Sequence, residues 1–410
     1  MRILIVNWHR NVIGGVEAYL RILLPALLQR GHELALVHGY PSAAGPEAID
    51  PPAERLPRWC YQELGTQDLL RRVEQWRPDL VYVHVWESNS LESALLNRYP
   101  SVFFAHGYQG MCETGRKCQS WPRPTPCTRR FGPMCLILHY PARCGGLHPL
   151  TMLRNYRFQS QQNVMLGLFA AVVAASRYIC NEVERNGVDR ERVHLVPLPV
   201  TAITPRTEPP AARLPEGRLL MMGRLIPLKG ADYLIRAIPA AARKLNRPLR
   251  LVIAGTGAEE TILRHLASRL GVEVEFAGWV SGDRREEVIT QSDLLAVPSL
   301  WPEPFGLVGL EAACLGVPAV GYAVGGIPEW LIPGVSGELA PGNPPTVEGL
   351  SAAIVRALED HEHYHRLSLG AWKTSQQFSL SSHLDKLESV FNAVAGHRSA
   401  ALAHDQVSNL

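Results

Sequence analysis

The sequence of 410 residues has no apolar run long enough to cross a membrane as a helix. Its first apolar run is only Ile3 to Val6, which is shorter than the core of an export signal. The longest later candidate, residues 164 to 175, falls well short of the roughly 20 apolar residues that a spanning helix needs. We therefore expect a cytoplasmic protein, and the sequence leaves peripheral contact with the inner face of a membrane open.

Charge is also scarce. The formal net charge is only +3, and no lysine-rich or arginine-rich tract is present to follow a nucleic-acid backbone, so we expect no nucleic-acid partner. Five of the eight cysteines fall between Cys112 and Cys144. Without an export signal, disulfides are the less expected use of that cluster.

Short β-rich apolar runs alternate with helical patterns, which predicts an α/β fold with mainly parallel sheets. The length is too great for one compact core, and the pattern restarts after a proline-rich stretch. We therefore predict two Rossmann-like doubly wound domains that face a central cleft. The predicted strands lie at 2–7, 33–38, 80–85, 101–105, 170–175 and 193–196, and then at 218–222, 249–254, 274–277, 294–297 and 319–321. The predicted boundaries are an N-terminal domain at 1–198, a linker at 199–215 and a C-terminal domain at 216–380.

Two glutamates surround a turn that follows the predicted strand 294–297. Glu303 lies in the loop before the turn, and Glu311 lies in the helix that Gly306 opens. Free backbone N–H groups at such a helix start form a diphosphate site, here expected at Phe305, Gly306, Leu307 and Val308. The two carboxylates could hold the sugar and the ribose of a nucleotide sugar. An isolated glutamate pair is more often a helix-start anion and a solvated helix face, but the proline and glycine framing here favours function.

The segment after the predicted strand 218–222 carries two cations, Arg224 and Lys229. Both follow the carboxyl end of a parallel strand, where open α/β sheets bind ligands. They could neutralise a leaving diphosphate where a metal ion would otherwise be needed. Arginine and lysine are common on surfaces, but Gly223 allows close approach of the backbone and strengthens the assignment.

Weaker signals come from two glycine pairs and one histidine. Gly14-Gly15 follows the first predicted strand, and Gly255 to Gly257 follows a strand of the second domain. Each pair could let the backbone approach a phosphate or a sugar, or could form a plain turn. His106 ends an apolar strand. It could hydrogen-bond the reacting sugar or be an ordinary core histidine, and the sequence favours neither.

Taken together, these residues resemble the retaining glycosyltransferases of the GT-B fold, specifically glycosyltransferase family 4. The resemblance covers nearly the whole chain and is strongest from Gly217 to about Leu358. The Glu303/Glu311 pair within EPFGLVGLEA matches the hallmark of that family, and GGIPE at 325–329 looks like its later glycine turn. The resemblance extends to Arg224, Lys229, Gly14-Gly15 and His106.

The resemblance implies transfer with retention from a UDP- or GDP-type nucleotide sugar to a glycan or lipid-linked acceptor, with no cofactor or metal ion required. It implies a front-face mechanism in which the leaving phosphate deprotonates the acceptor. Synthesis of a cell-surface polysaccharide or glycoconjugate is the expected role. It also implies a last helix, at 381–396, that crosses back to the first domain, before a polar tail at 397–410.

The sequence departs from the family in an insertion at 111–146, which is rich in cysteine, proline and arginine. Zinc ligation by Cys112, Cys118, Cys127 and Cys135 is one use of its thiols, although the spacings differ from paired Cys-x-x-Cys ribbons and simple packing is favoured. The insertion holds six basic residues and a single acid. Arg116, Arg129 and Arg130 are therefore candidates for binding an anionic acceptor, against the usual alternative of a solvated charged surface.

Two other classes remain open. Another GT-B nucleotide-sugar enzyme, an epimerase or a phosphorylase, would share the fold, but epimerases lack the Glu303 motif as it is written here. An inactive scaffold would have lost Arg224, Lys229 or a glutamate, and all four are present.

Overall fold

A computed structural model describes residues 1–41, 48–50, 56–200 and 203–408, with side chains described up to residue 396. Residues 201–202 of the predicted linker and 409–410 of the predicted tail lie outside this range. The described residues form two parallel sheets flanked by helices, which confirms the α/β class and the two doubly wound units. No described helix is both long enough and apolar enough to span a bilayer.

The N-terminal sheet consists of seven parallel strands within the described residues. They are β1 (Arg2–Val6), β2 (Glu33–His38), β3 (Arg58–Cys60), β4 (Leu80–Val83), β5 (Ser101–Ala105), β8 (Ala171–Ala174) and β9 (Val193–Leu195). Their order is β3-β2-β1-β4-β5-β8-β9. A two-stranded antiparallel hairpin, β6 (Cys118–Gln119) with β7 (Thr125–Pro126), lies in the insertion. The helices of this half are α1 (Gly15–Gln29), α2 (Tyr61–Trp76), α3 (Asn89–Leu96), α4 (Met134–Leu138), α5 (Pro149–Leu166) and α6 (Arg177–Arg185).

The C-terminal sheet repeats the arrangement. Its strands are β10 (Arg218–Met222), β11 (Arg250–Ala254), β12 (Glu273–Gly278), β13 (Leu294–Val297), β14 (Ala319–Tyr322) and β15 (Gly337–Ala340), in the order β12-β11-β10-β13-β14-β15. The helices are α7 (Ala231–Leu245), α8 (Glu260–Leu270), α9 (Gly282–Thr290), α10 (Leu307–Cys314), α11 (Val347–Leu358), α12 (His361–Ser375) and α13 (Leu380–Ser408).

The strands of the first sheet are buried on both faces. Ile3 and Ile5 of β1 pack into one apolar cluster, whereas Leu4 and Val6 pack into another. Successive side chains of a strand point to opposite faces, so near-continuous apolar runs fit a sheet that is covered by helices on both sides. This burial fixes the strand ends where the candidate site residues begin.

The last helix, α13, returns to the N-terminal sheet. The rings of Phe391 on α13 and Tyr82 on β4 have centroids 4.9 Å apart, in an edge-to-face arrangement. The helix runs to Ser408 and therefore continues past residue 396, its predicted end. The alanine-rich, proline-free sequence after residue 396 favours continuation of a helix.

Candidate functional site

Glu303 lies in the loop after β13 and is buried. Its Oε1 accepts hydrogen bonds from Ser299 Oγ at 2.6 Å and from Trp301 Nε1 at 2.9 Å, and it also contacts the Lys229 ammonium group. Burial by itself would raise the pKa of the Glu303 carboxyl, but Lys229 and the two hydrogen bonds outweigh it and lower that pKa. Glu303 is therefore a fixed, ionised carboxylate, and its Oε2 forms no hydrogen bond to the rest of the described chain.

Lys229 reaches Glu303 because the loop after β10 packs tightly on the loop after β13. Leu300 N–H donates to Leu228 O at 2.8 Å. Gly230 has a φ of +70°, and a Cβ at this position would lie 2.0 Å from Pro298 O. A side chain at Gly230 would therefore push the two loops apart and separate Lys229 from Glu303.

Arg224 lies at the start of the same loop and is exposed. Within the described chain, its guanidinium group forms no ion pair, in contrast to Lys229. An unpaired cation at the carboxyl end of a parallel strand is available to a bound anion. The two cations predicted from sequence therefore differ: one is held by a carboxylate, and the other is free.

Glu311 is buried in α10 and forms an ion pair with Arg285 of α9. Arg285 Nε lies 3.1 Å from Glu311 Oε2, and the guanidinium Nη2 also contacts that oxygen. Burial raises the pKa of the Glu311 carboxyl although Arg285 opposes the change. Sequence reasoning missed Arg285, since α9 is a surface helix with several arginines and glutamates and only the tertiary fold selects this one.

The start of α10 presents backbone donors. Gly306 precedes the helix with a φ of +88°, a left-handed conformation that favours glycine. Leu307 and Val308 are the first helical residues, and the N–H groups of a first turn have no carbonyl of their own helix to bind. Phe305 itself is buried, with its ring centroid 5.8 Å from that of Phe378. It therefore fixes the approach to the helix start by packing.

The glycine turn at 325–326 supports the Glu303 loop. Gly326 N–H donates to Glu303 O at 2.7 Å. A Cβ at Gly325 would lie 2.1 Å from Glu303 O, and one at Gly326 would lie 2.4 Å from Pro304 O. The turn that resembles the later glycine element of the family therefore serves here to hold the backbone on either side of Glu303.

The N-terminal domain also contacts this loop. Tyr108 donates from its hydroxyl to Pro302 O at 2.5 Å, and Ser176 Oγ donates to Pro304 O at 2.7 Å. The two carbonyls flank Glu303, so each domain contributes to its position. Neither Tyr108 nor Ser176 was a sequence candidate, because only the docking of the two domains brings them to this loop.

Gly223, Gly255 and Gly257 lie where two strand-end loops of the C-terminal half meet. A Cβ at Gly255 would lie 1.9 Å from Gly223 O, and one at Gly257 would lie 2.3 Å from Leu225 O. Gly255 and Gly257 therefore have a packing reason to be glycine, independent of any ligand, whereas Gly223 has a φ of +144°, which by itself favours glycine. Their role in donor binding stays a prediction.

Gly14 and Gly15 are exposed at the start of α1. Glu17, two residues later, is buried, and its Oε1 accepts from Asn7 Nδ2 at 3.2 Å. Asn7 follows β1, so the first βα turn is anchored to the end of that strand. The two glycines therefore leave the backbone at the start of α1 accessible.

His106 follows β5 and belongs to a histidine and tyrosine cluster. His106 Nε2 lies 2.8 Å from His84 Nδ1, so one of the two rings donates to the other. Burial lowers the pKa of His106 to about 3, with a further contribution from nearby His383. Burial also lowers the pKa of His84 well below its usual value. Both rings are therefore neutral at neutral pH, which suits hydrogen bonding rather than charge stabilisation.

The insertion is tied to the N-terminal domain by a buried ion pair, in which Lys117 Nζ lies 3.0 Å from Glu182 Oε2. Arg116, Arg129 and Arg130 are exposed. The guanidinium group of Arg130 lies close to Gly187, just beyond the end of α6, whereas Ser176 at the other end of α6 contacts the Glu303 loop. Of the three predicted acceptor residues, Arg130 is therefore placed away from that loop.

The cysteines of the insertion form no disulfide in the structure, and neither do the other described cysteines. Within the described ranges, no three histidine, cysteine, aspartate or glutamate side chains are grouped so that they could hold a metal ion. Cys118, for example, directs its thiol to Leu300 O at 3.7 Å. The four predicted zinc ligands form no such group here, and zinc ligation by them stays a prediction.

Known families match both halves of the chain. The model described as "Glycosyltransferase Family 4" matches residues 13–203, and the model described as "Glycosyl transferases group 1" matches residues 207–373. The uncharacterized glycosyltransferase MJ1607 of Methanocaldococcus jannaschii is 40% identical over 148 residues, which span 35% of this chain and 36% of that protein. Glycogen synthase of Mycobacterium tuberculosis is 27% identical over 397 residues, which span 88% of this chain and 86% of that protein.

A solved structure extends the likeness to the whole fold. The crystal structure of Anabaena Alr3699/HepE in complex with UDP and glucose superimposes with a TM-score of 0.66 and 20% identity, covering 96% of this chain and all of that one. At this identity the likeness shows the fold, which is GT-B. Together with the two family matches, it establishes that the chain belongs to the group 1 glycosyltransferases of family 4 and has the GT-B fold.

Proposed function

We propose that the protein transfers a sugar, with retention of anomeric configuration, from a UDP- or GDP-type nucleotide sugar to a glycan or lipid-linked acceptor. The observation that carries this proposal is the cluster at the Glu303 loop. It combines an ionised carboxylate, a paired ammonium group, an unpaired guanidinium group in the same loop as that ammonium group, and the open start of α10. Such a group of charges and N–H donors suits a diphosphate that carries a sugar.

The diphosphate is proposed to bind at the N–H groups of Leu307 and Val308, with Arg224 and Lys229 as its cations. As the bond between the sugar and the diphosphate breaks, negative charge grows on the leaving oxygen. Preorganised donors and cations stabilise that charge without reorganising, which is generally the largest contribution to catalysis of this kind. Cations supplied by the protein would also remove the need for a metal ion.

The two glutamates are proposed to hold the two ends of the donor. Glu303 Oε2 accepts from a sugar hydroxyl group, since Oε1 is occupied by Lys229, Ser299 and Trp301. Glu311 accepts from the ribose hydroxyls, and Arg285 keeps its carboxylate oriented. Neutral His106 donates to or accepts from the reacting sugar on the N-terminal side.

In the proposed front-face reaction, the leaving phosphate takes the proton of the acceptor hydroxyl. The new bond from that hydroxyl to the anomeric carbon forms on the face that the diphosphate leaves, so configuration is retained. The acceptor is proposed to approach from the N-terminal domain, and the role is synthesis of a cell-surface polysaccharide or glycoconjugate. Structures of Anabaena Alr3699/HepE in complex with UDP and with UDP-glucose support the proposed class of donor.

The experiment is to incubate the protein with a panel of UDP and GDP sugars, without acceptor, and to measure slow release of the nucleoside diphosphate. Hydrolysis of at least one donor, strongly reduced by Arg224→Ala, supports the proposal. Conversion of a donor to its epimer, or phosphate-dependent release of a sugar phosphate, would instead assign the chain to another nucleotide-sugar or phosphorylase activity. Binding without any turnover would indicate an inactive scaffold.

A further inference from the structure

One segment of the N-terminal domain has an unusual charge balance. Residues 114–181 contain no aspartate or glutamate, although the chain as a whole has 38 acidic residues. At that average density, about six acidic residues would be expected in a segment of this length. The segment holds nine arginines and lysines, so it carries a concentrated positive charge in a protein whose net charge is only +3.

The same segment concentrates exposed apolar side chains. It holds nine of the seventeen large apolar residues that are exposed among the described residues, in about a sixth of the chain. Leu147 is 82% exposed, Leu150 is 69% exposed and Ile137 is 64% exposed. Single exposed apolar residues are ordinary, but a group of them indicates a surface that is covered in the functional state.

Helix α5 organises this surface because its two faces differ. Its inner face carries Gln159, Gln162 and Asn163, which hydrogen-bond the rest of the domain. On a helix of 3.6 residues per turn, Leu150, Leu153, Arg154 and Arg157 lie on the opposite side. All four are exposed. The outer face of α5 is thus both apolar and basic.

The residues before α5 extend the same surface. Tyr140, which follows α4, donates from its hydroxyl to Leu147 O at 3.4 Å, so the exposed rings and apolar chains around α4 lie next to the start of α5. The Arg143 guanidinium group lies 4.6 Å from the centre of the Trp121 ring, and both side chains are exposed. Neither Arg143, Arg154 nor Arg157 forms an ion pair with another part of the described chain.

We propose that this surface, formed by the outer face of α5 with Tyr140, Arg143 and Leu147, docks on a lipid bilayer that contains anionic phospholipids. Apolar side chains would enter the boundary between headgroups and acyl chains, while the arginines pair with lipid phosphates. At about 1.5 Å per residue, the 18-residue helix offers a footprint of about 27 Å along the membrane plane. A second copy of the chain fits poorly, because two such faces would bring like charges together.

The position of α5 connects this surface to the catalytic side of the domain. Gln159 Oε1 accepts from Gly110 N–H at 2.6 Å, and Asn163 Nδ2 donates to Gly110 O at 2.7 Å. Gly110 lies four residues after His106. The helix that would lie on the bilayer therefore holds the segment leading away from His106, which suits an acceptor anchored in the same membrane. This last step rests on the proposed function, whereas the docking itself does not.

The test is to sediment the full-length protein with vesicles and to measure the fraction that is bound. One set of vesicles contains phosphatidylcholine alone, and the other contains equal parts of phosphatidylcholine and phosphatidylglycerol. We expect partition into the anionic vesicles only, and weaker partition as salt is added. Arg154→Gln with Arg157→Gln should lower the partition coefficient about 30-fold, as each basic residue near an anionic surface contributes about 1 kcal/mol. Leu150→Glu with Leu153→Glu should lower it at least as far.

The matched control is Ile262→Glu with Leu270→Glu, which adds the same charges to exposed apolar positions of α8 in the other domain. Its partition should equal that of the wild type, and all variants should keep the wild-type melting temperature. Absence of wild-type partition into anionic vesicles would overturn the proposal, and so would an equal loss in the control. A dimer in solution that Leu150→Glu with Leu153→Glu dissociates would identify the surface as a contact between copies instead. Slow donor hydrolysis in solution should be the same in every variant, which separates this test from that of the proposed function.

Discussion

Tyr19 of α1 and His383 of α13 are joined by a hydrogen bond of 2.8 Å between the tyrosine hydroxyl and His383 Nε2, across 364 positions of the chain. His383 Nδ1 in turn lies 2.8 Å from Pro197 O, so this nitrogen carries the proton and donates to the carbonyl. Nε2 is then the acceptor, and the tyrosine hydroxyl is the donor. The last helix is thereby fixed to the helix that follows the Gly14-Gly15 turn.

His383 should make stability depend on pH. Burial lowers the pKa of His383 to about 4, against about 6.5 in the unfolded chain. Below pH 6.5 the unfolded state binds a proton that the folded state does not. The contribution of His383 to the free energy of unfolding is therefore complete above pH 6.5 and is lost as the pH falls towards 4. Between pH 7 and pH 5 the loss for one such histidine is about 2 kcal/mol. The groups that act on His383 directly are Tyr19 and the carbonyl of Pro197, through hydrogen bonds, and His106 and Lys386, through charge.

Urea unfolding at pH 7 and pH 5 tests this prediction. His383→Gln should lower the free energy of unfolding at pH 7 and should remove about 2 kcal/mol of the difference between the two pH values. The control is His265→Gln on the exposed side of α8, which should change neither quantity. The same pH difference in His383→Gln and in the wild type would contradict the assignment.

Alanine variants of Arg224 and Lys229 should both lose turnover, but they should differ in how much stability they lose. Arg224→Ala removes an exposed, unpaired cation, so turnover should fall by a factor on the order of 100 while stability changes by less than about 0.5 kcal/mol. Lys229→Ala should also lower turnover, but it leaves the buried Glu303 carboxylate without its cation. It should therefore destabilise the fold by an additional ~1–3 kcal/mol. Normal turnover in either variant would remove that residue from the proposed site.

Glu311→Ala should weaken donor binding by ~1–3 kcal/mol, because the ribose hydroxyls lose their acceptor and Arg285 loses its partner. Calorimetric titration with UDP and GDP measures the change. Arg285→Ala is the companion variant, and it should weaken binding less, since it removes only the group that orients Glu311. Unchanged nucleotide affinity in Glu311→Ala would show that this carboxylate has a purely structural role.

Arg129→Ala with Arg130→Ala should raise the acceptor KM and leave donor hydrolysis unaffected. The rise should be largest at low ionic strength, since screening weakens attraction between exposed charges. Arg116→Ala serves as a separate variant, because Arg130 lies beside Gly187 whereas Arg116 does not. Equal loss of acceptor transfer and donor hydrolysis would mean that the insertion supports the fold or the donor site.

The sequence predicted most of the sheet architecture because the central strands are buried apolar runs. The predicted bounds 33–38, 101–105, 218–222 and 294–297 agree with the structure. The edge strands β3 and β15 were missed. β3 is three residues long, and β15 contains a glycine and a glutamate, so neither has the apolar pattern on which a strand prediction depends.

The parts of the candidate site that a local sequence motif defines were predictable. The parts that depend on tertiary packing were not. Glu303, Lys229 and the Gly306 turn are recognisable from spacing and from proline and glycine framing. Arg285 and Tyr108 come from elements with no local signal, and only the fold brings them to Glu311 and to the Glu303 loop. The same holds for His383, which lies more than 270 positions from His106 in sequence.

The central claim is that the Glu303 loop binds a nucleotide sugar and releases its sugar with retention. The most direct measurement is proton NMR of the wild type and of Glu303→Gln incubated with each sugar of a UDP and GDP panel, in the presence of a chelator. The account predicts that the wild type consumes at least one donor, that the sugar first appears in the donor's anomeric configuration, and that Glu303→Gln leaves this donor intact. Inverted product, or equal consumption by the wild type and Glu303→Gln, would contradict it.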